Sequence, residues 1–199
     1  MTKLFIFDLG KVLVDFDFQK VFRGLAPHTP RTPRELHDFF HSTPLWDAFE
    51  RGHMTPLEFF KRLREQLDLD MTFAQFEPVW NDIFSEIPET IELLKTLKTR
   101  MPVHLISNVN AMHYEFLEER CEFLSLFDAR FPSYQVGLRK PEGAIFHLAL
   151  KHAGVKPHEA IFIDDTPMHV HGARKVGIHS IVFHNTKQLK HDLNGRINW

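Results

Sequence analysis

The chain of 199 residues carries 24 Lys and Arg against 26 Asp and Glu, a formal charge of −2, with 43% hydrophobic and 25% charged residues. That balance fits a soluble globular domain with a sizeable core. It excludes the basic excess of a dedicated nucleic-acid binder, the ~18 uninterrupted apolar residues of a membrane span and, with Cys121 alone, an internal disulfide framework. The apolar run at the N-terminus is broken by Asp8 and Lys11, unlike the clean core of a signal peptide, so a cytoplasmic domain without membrane or nucleic-acid partners is expected. The 20 Phe against 2 Tyr belong mostly to core packing, and the 14 His show no metal-ligand spacing.

In chain order, Leu4 to Phe7 reads as a buried strand that stops at Asp8. Residues 16 to 86 carry helical patterns and no convincing strand. Thr32-Pro33-Arg34-Glu35 and Thr55-Pro56-Leu57-Glu58 each supply a capping Thr, a Pro in the first turn and a Glu that closes the box. Pro88 opens a helix to about Arg100, with Ile91, Leu94 and Leu97 on one face. A second strand, Val103 to Ile106, stops at Ser107, and a weaker candidate lies at Ala129 to Ser133. Pro141 is expected to open a helix that ends before Gly154. Ala160 to Ile163 stops at Asp164, and Ile178 to Phe183 forms a later strand.

Strands alternating with helices predict an α/β fold, a Rossmann-like doubly wound parallel sheet. Residues 16–86 are far too long for a βα connection. They are read as a small all-helical cap inserted after the first strand, over a core made of residues 1–15 and 87–199.

Three strands end on functional-type groups: Asp8, Ser107-Asn108 and Asp164-Asp165. In an open parallel sheet such ends share one edge, where ligands bind. Each group taken singly also suits a strand cap; three together argue for a site. Carboxylates that converge repel one another, and a divalent cation relieves them. Hard oxygen donors with room for phosphate favour Mg²⁺. Lys140, in Gly137-Leu138-Arg139-Lys140-Pro141, can reach the same edge and neutralise a phosphoryl group.

This constellation resembles the haloacid dehalogenase-like hydrolase superfamily. Phe5-Ile6-Phe7-Asp8-Leu9-Gly10, Leu105-Ile106-Ser107-Asn108, Arg139-Lys140-Pro141 and Ile161-Phe162-Ile163-Asp164-Asp165 look like its four motifs, in order. The insertion looks like the helical cap of its first subfamily. Asp8-Leu9-Gly10, Ser107-Asn108-Val109-Asn110 and Phe49-Glu50-Arg51-Gly52 are similar to bacterial α-D-glucose-1-phosphate phosphatase relatives.

The resemblance implies an Mg²⁺-dependent phosphatase of small phosphorylated metabolites, sugar phosphates first, with Asp8 as nucleophile and an aspartyl-phosphate intermediate. It implies metal ligation by Asp8, the Gly10 carbonyl and Asp165, with Asp164 orienting a metal-bound water. Ser107 and amides near Asn108 would hold phosphate, and Lys140 would balance charge.

The chain departs from this pattern at Gly10, where the family usually carries an acid–base Asp. A slow enzyme is expected, since general acid–base catalysis is typically worth 10²–10⁴-fold. Lys11 stands where relatives have Asn or Gly, and His169 where a metal-shell Asn is usual. His169 and Asp15 are the candidate substitute acids. In the cap, Arg51 is the first candidate substrate contact and Trp46 the second, although Trp46 and Phe49, three apart, also suit core packing. The acidic patch at Asp68-Leu69-Asp70 reads as a solvated helix end. Carbon–halogen hydrolysis is the less favoured activity, because such relatives lack the Asp164-Asp165 pair. A non-catalytic binder is the alternative that Gly10 supports. Oligomeric state is left open.

Overall fold

The computed structural model describes residues 1–195. In chain order its elements are β1 (Leu4–Phe7), β2 (Val14–Phe16), α1 (Phe18–Leu25), α2 (Pro33–Ser42), α3 (Leu45–Glu50), α4 (Pro56–Leu67), α5 (Phe73–Asn81) and β3 (Phe84–Glu86). They continue with α6 (Pro88–Lys98), β4 (Val103–Ser107), α7 (Ala111–Arg120), β5 (Ala129–Pro132), α8 (Ser133–Val136), α9 (Gly143–Ala153), β6 (Ala160–Asp164), α10 (Pro167–Lys175), β7 (His179–Val182) and α11 (Thr186–Leu193).

Five strands form a parallel sheet in the order β5-β4-β1-β6-β7. The central strand β1 is buried throughout. Its side chains alternate between faces, as the strand period requires. Phe5 and Phe7 join the apolar layer under α6, with Leu94 and Leu97. Leu4 and Ile6 join the opposite layer, with Phe146 of α9 and Phe162 of β6. Both faces are thus covered, which is why the strands read as continuous apolar runs.

Helices α1 to α5 pack into their own apolar cluster around Phe22, Phe59, Phe76 and Trp80. Both Thr-Pro-x-Glu segments form complete capping boxes, on Thr32 and Thr55. Thr72 and Gln75 make a third. The acidic patch lies at a helix end: Asp68 is exposed in left-handed backbone (φ 51°), and Leu69 turns into the apolar cluster.

Two expectations fail. The segment between β1 and α6 contains strands: β2 and β3 pair antiparallel, Phe16 opposite Phe84, and tie the helical segment to the sheet. Three residues are too few to carry a period-2 signal. Nor does Pro141 open α9. The amide of Glu142 donates to the Arg139 carbonyl at 2.9 Å, which makes residues 139–142 a turn, and the helix starts at Gly143 with Glu142 as its extended N-cap.

Candidate active site

The functional-type residues meet at the C-terminal edge of β1, β4 and β6. Asp8 follows β1, and its amide donates to the Ile163 carbonyl at 2.9 Å, which holds it against the end of β6. Lys140 reaches this edge from the turn before α9 with its side chain fully buried. Its Nζ lies 2.6 Å from Asp8 Oδ1 and 2.6 Å from Asp164 Oδ2. The backbone of Lys140 is fixed by Asn108, whose amide donates to the Lys140 carbonyl and accepts from the Lys140 N–H, both at 2.9 Å. Asn108, whose neighbouring backbone amides are expected to serve phosphate, thus commits its side chain to positioning the lysine.

Burial pushes the Asp8 carboxyl well above the usual carboxylate range, against the pull of Lys140. Burial also works against charge on Lys140, but Asp164 and Asp8 outweigh it and hold the ammonium protonated. Asp164 is fully buried; desolvation opposes its charge, yet Lys140 and His169 hold it far below its ordinary value. Its oxygens are committed: Oδ2 to Lys140 at 2.6 Å, and Oδ1 to the Thr166 amide at 2.8 Å and to His169 Nδ1 at 3.1 Å. Asp165 is half-buried, and its carboxylate accepts from Thr166 Oγ1 at 3.2 Å. Burial and neighbouring Asp164 raise its pKa.

Asp8, Asp164 and His169 each present an atom within 4.8 Å of the others. His169 therefore belongs to the site, on the side of Asp164. Asp15 does not: it is exposed and ion-paired to Lys11. The donor set fits a divalent cation, since Asp8 and Asp164 share one buried ammonium; Asp165, expected as a ligand, follows Asp164 in the chain but lies outside the clustered group. Asp164 has spent its acceptor capacity on protein groups, which leaves Asp165 and Asp8 as the carboxylates with oxygens to offer.

Beside Leu9 and Gly10, just after Asp8, opens a cavity of about 100 Å³. Gly10 and Ser107 form its floor, and Phe16, Phe18, Trp46 and Phe84 line its walls, with Glu50, Asn110 and His113. Phe16 occupies the space beside Gly10, where a Cβ would stand 2.9 Å from Phe16 Cε1.

The end of α3 is fastened to the sheet edge. Ser133 Oγ donates to the Glu50 carbonyl at 2.6 Å. Arg139 pairs with Asp47 and Glu50, and Arg51 with Asp47 and Glu142. Gly52, at φ 70°, passes so close that a Cβ there would stand 2.0 Å from the Tyr134 carbonyl oxygen. Arg51 is therefore a strut between the helical segment and the α9 turn rather than part of the cavity wall. Trp46 does line the cavity, while Phe49 is buried and stacks on Phe59 at 4.1 Å. Sequence reasoning missed Glu50, Phe16 and Phe18 as wall residues. Nothing local marks an aromatic as wall rather than core.

The profile of the haloacid dehalogenase-like hydrolases matches residues 2–177. Drimenol cyclase drtB of Aspergillus calidoustus is 30% identical over 97% of this chain, which spans 36% of that protein, about a third of its length. D-ribitol-5-phosphate phosphatase of Bacteroides thetaiotaomicron is 28% identical over 100% of both chains. Among solved structures, the HAD family enzyme BT-2542 from Bacteroides thetaiotaomicron, in complex with magnesium and inorganic phosphate, superposes with a TM-score of 0.85 at 24% identity, covering 95% of this chain and 99% of that one. No helix among the described residues is long and apolar enough to cross a membrane.

Proposed function

The chain belongs to the haloacid dehalogenase-like hydrolase family, and from that premise we propose that it is an Mg²⁺-dependent phosphatase of small phosphomonoesters, working through an aspartyl-phosphate. The observation that carries this reading is the buried Lys140 bridging Asp8 and Asp164 at 2.6 Å each. The relative named as a D-ribitol-5-phosphate phosphatase and the neighbour holding magnesium and phosphate support it.

Asp8 attacks phosphorus with one carboxylate oxygen; the P–O bond to the alcohol breaks, and the leaving oxygen takes up a proton. Water then attacks the phosphorus of the acyl phosphate and frees inorganic phosphate and the Asp8 carboxylate. This splits one difficult displacement into two easier ones. Lys140 stabilises the equatorial phosphoryl oxygens together with Ser107 and backbone amides around Asn108. Asp164 fixes Lys140 and His169, so the ammonium is oriented before substrate arrives. Asp8, the Gly10 carbonyl and Asp165 would hold Mg²⁺, with Asp164 supporting them; when bound, the ion supplies further neutralisation of phosphoryl charge.

The alcohol must find its proton without a carboxylate at position 10. Turnover is therefore slow for poor leaving groups and least impaired for good ones. His169 stands with Asp164, and Asp15 points into its pair with Lys11, so neither supplies an acid from the cavity side.

The test is phosphate release from p-nitrophenyl phosphate with and without Mg²⁺, for the wild type and Asp8→Asn. Mg²⁺-dependent release abolished by the substitution is the expected result. Absence of release at any Mg²⁺ concentration would favour a non-catalytic binder.

A further inference from the structure

We propose that the alcohol half of the substrate is a small apolar group, alkyl or alkenyl, rather than a polyol, selected by the aromatic wall of Phe16, Phe18, Trp46 and Phe84. The proposal rests on the phosphomonoesterase reading and narrows its substrate class away from sugar phosphates.

Asn110 accepts from the His113 amide and pairs its own amide with His113 Nδ1, both at 3.0 Å. His113 places its other nitrogen 3.0 Å from the Trp80 carbonyl oxygen, so both ring nitrogens are spent and the ring meets the cavity as a neutral apolar body. Burial drives its pKa down to about 4 and keeps it so. The Asn108 side chain is consumed by the Lys140 backbone. The Glu50 carboxylate is held by Arg139 and by the Trp46 side chain. Even the backbone amide of Val109 is used: it donates to Ser133 Oγ at 2.9 Å.

Of the side chains lining this cavity, the Ser107 hydroxyl alone has no protein partner among the described residues, and Glu50 Oε2, ion-paired to Arg139, makes no hydrogen bond. A polyol buried here would find the single Glu50 oxygen for its several hydroxyls, and the others would lose water and gain no partner or would have to break one of these bonds. An apolar group loses nothing and covers aromatic surface. Phe16, Phe18, Trp46 and Phe84 contact one another edge-on, Phe18 to Trp46 at 5.2 Å and Phe16 to Phe84 at 6.2 Å between ring centroids. The space is small: about 100 Å³ corresponds to roughly three water volumes, enough for a short chain beyond the phosphoryl group.

The experiment measures competitive inhibition of p-nitrophenyl phosphate hydrolysis by methylphosphonate, butylphosphonate and D-ribitol 5-phosphate. A buried methylene is worth about fourfold, so butylphosphonate is expected to inhibit at least about fivefold more tightly than methylphosphonate, and more tightly than D-ribitol 5-phosphate. A smaller ratio, or tighter binding of the polyol phosphate, overturns the proposal. Phe18→Asn is expected to erase the butyl advantage and Phe18→Leu to keep it; loss in both would mean a fault of folding, and the wild-type ratio then decides. If p-nitrophenyl phosphate is not hydrolysed at all, the phosphatase reading fails separately. Calorimetric titration of the wild type with the same three compounds then applies the same thresholds to the cavity alone.

Discussion

A Cβ placed on Gly10 would stand 2.9 Å from Cε1 of Phe16, so the ring takes the space beside Gly10 into which any side chain there would grow. Under the proposed phosphatase chemistry, an acid at position 10 and the aromatic wall would compete for that space. Gly10→Asp alone is expected to lower Tm and restore no activity. Gly10→Asp combined with Phe16→Ala is expected to raise kcat for an alkyl phosphate at least about tenfold over Phe16→Ala alone, the low end of what general acid catalysis supplies. Equal rates in the two backgrounds would mean that the missing acid is not what limits turnover.

Lys140 is a buried cation held between two buried carboxyl groups, of which Asp164 is firmly ionised. Removing one partner of such a cluster leaves uncompensated charge, typically at a cost of 3–5 kcal/mol. Lys140→Met is therefore expected to abolish phosphate release and to lower Tm by roughly 6–20 °C for a chain of this size. Adding Asp8→Asn removes one of the stranded carboxylates and is expected to recover part of the loss. Calorimetric melting of the single and double variants checks this, and strict additivity of the two losses would argue against the pairing.

Arg51 carries ion pairs to Asp47 and Glu142 with part of its surface in water. Such pairs are worth about 0–1 kcal/mol. Arg51→Ala is expected to change KM less than about threefold and Tm by only a few degrees. A large rise in KM would return it to the role of substrate contact. Gly52 is the contrasting neighbour. At φ 70° and against the Tyr134 carbonyl it has no room for a Cβ, so Gly52→Ala is expected to lower Tm far more than Arg51→Ala, measured in the same melting series.

The parallel sheet was legible because strands covered on both faces are apolar throughout, and because Asp8, Ser107 and Asp164 each punctuate such a run. Convergence on one edge follows from β4 and β6 flanking β1. The helix starts at Thr32 and Thr55 were legible because a capping box is a local pattern. What could not be read was set by contacts distant in sequence. The β2–β3 ribbon joins residues about 70 apart with three residues a side. Arg51 looked available because Glu142, 91 positions away, leaves no trace beside it. Asn108 sat in the right motif for phosphate, but its side-chain role depends on Lys140, 32 positions on.

Two histidines predict how stability varies with pH. His113 is buried and neutral, its pKa lowered by desolvation to about 4; His104 is lowered to about 4 by the same cause and by His152. Unfolded, each takes up its proton near pH 6.5. Between pH 6.5 and 4 the unfolded chain therefore binds more protons than the folded one, and stability falls as pH falls. Below about 4 both states are protonated and these groups contribute no further slope. For His113 the full difference is about 3 kcal/mol, an upper figure. Urea unfolding at pH 7, 6, 5 and 4 is expected to show stability declining across that window, and His113→Gln to flatten it even though the variant starts less stable. An unchanged slope in the variant would mean that His113 does not remain neutral in the fold, and the account of it as an apolar wall of the cavity would fall with it.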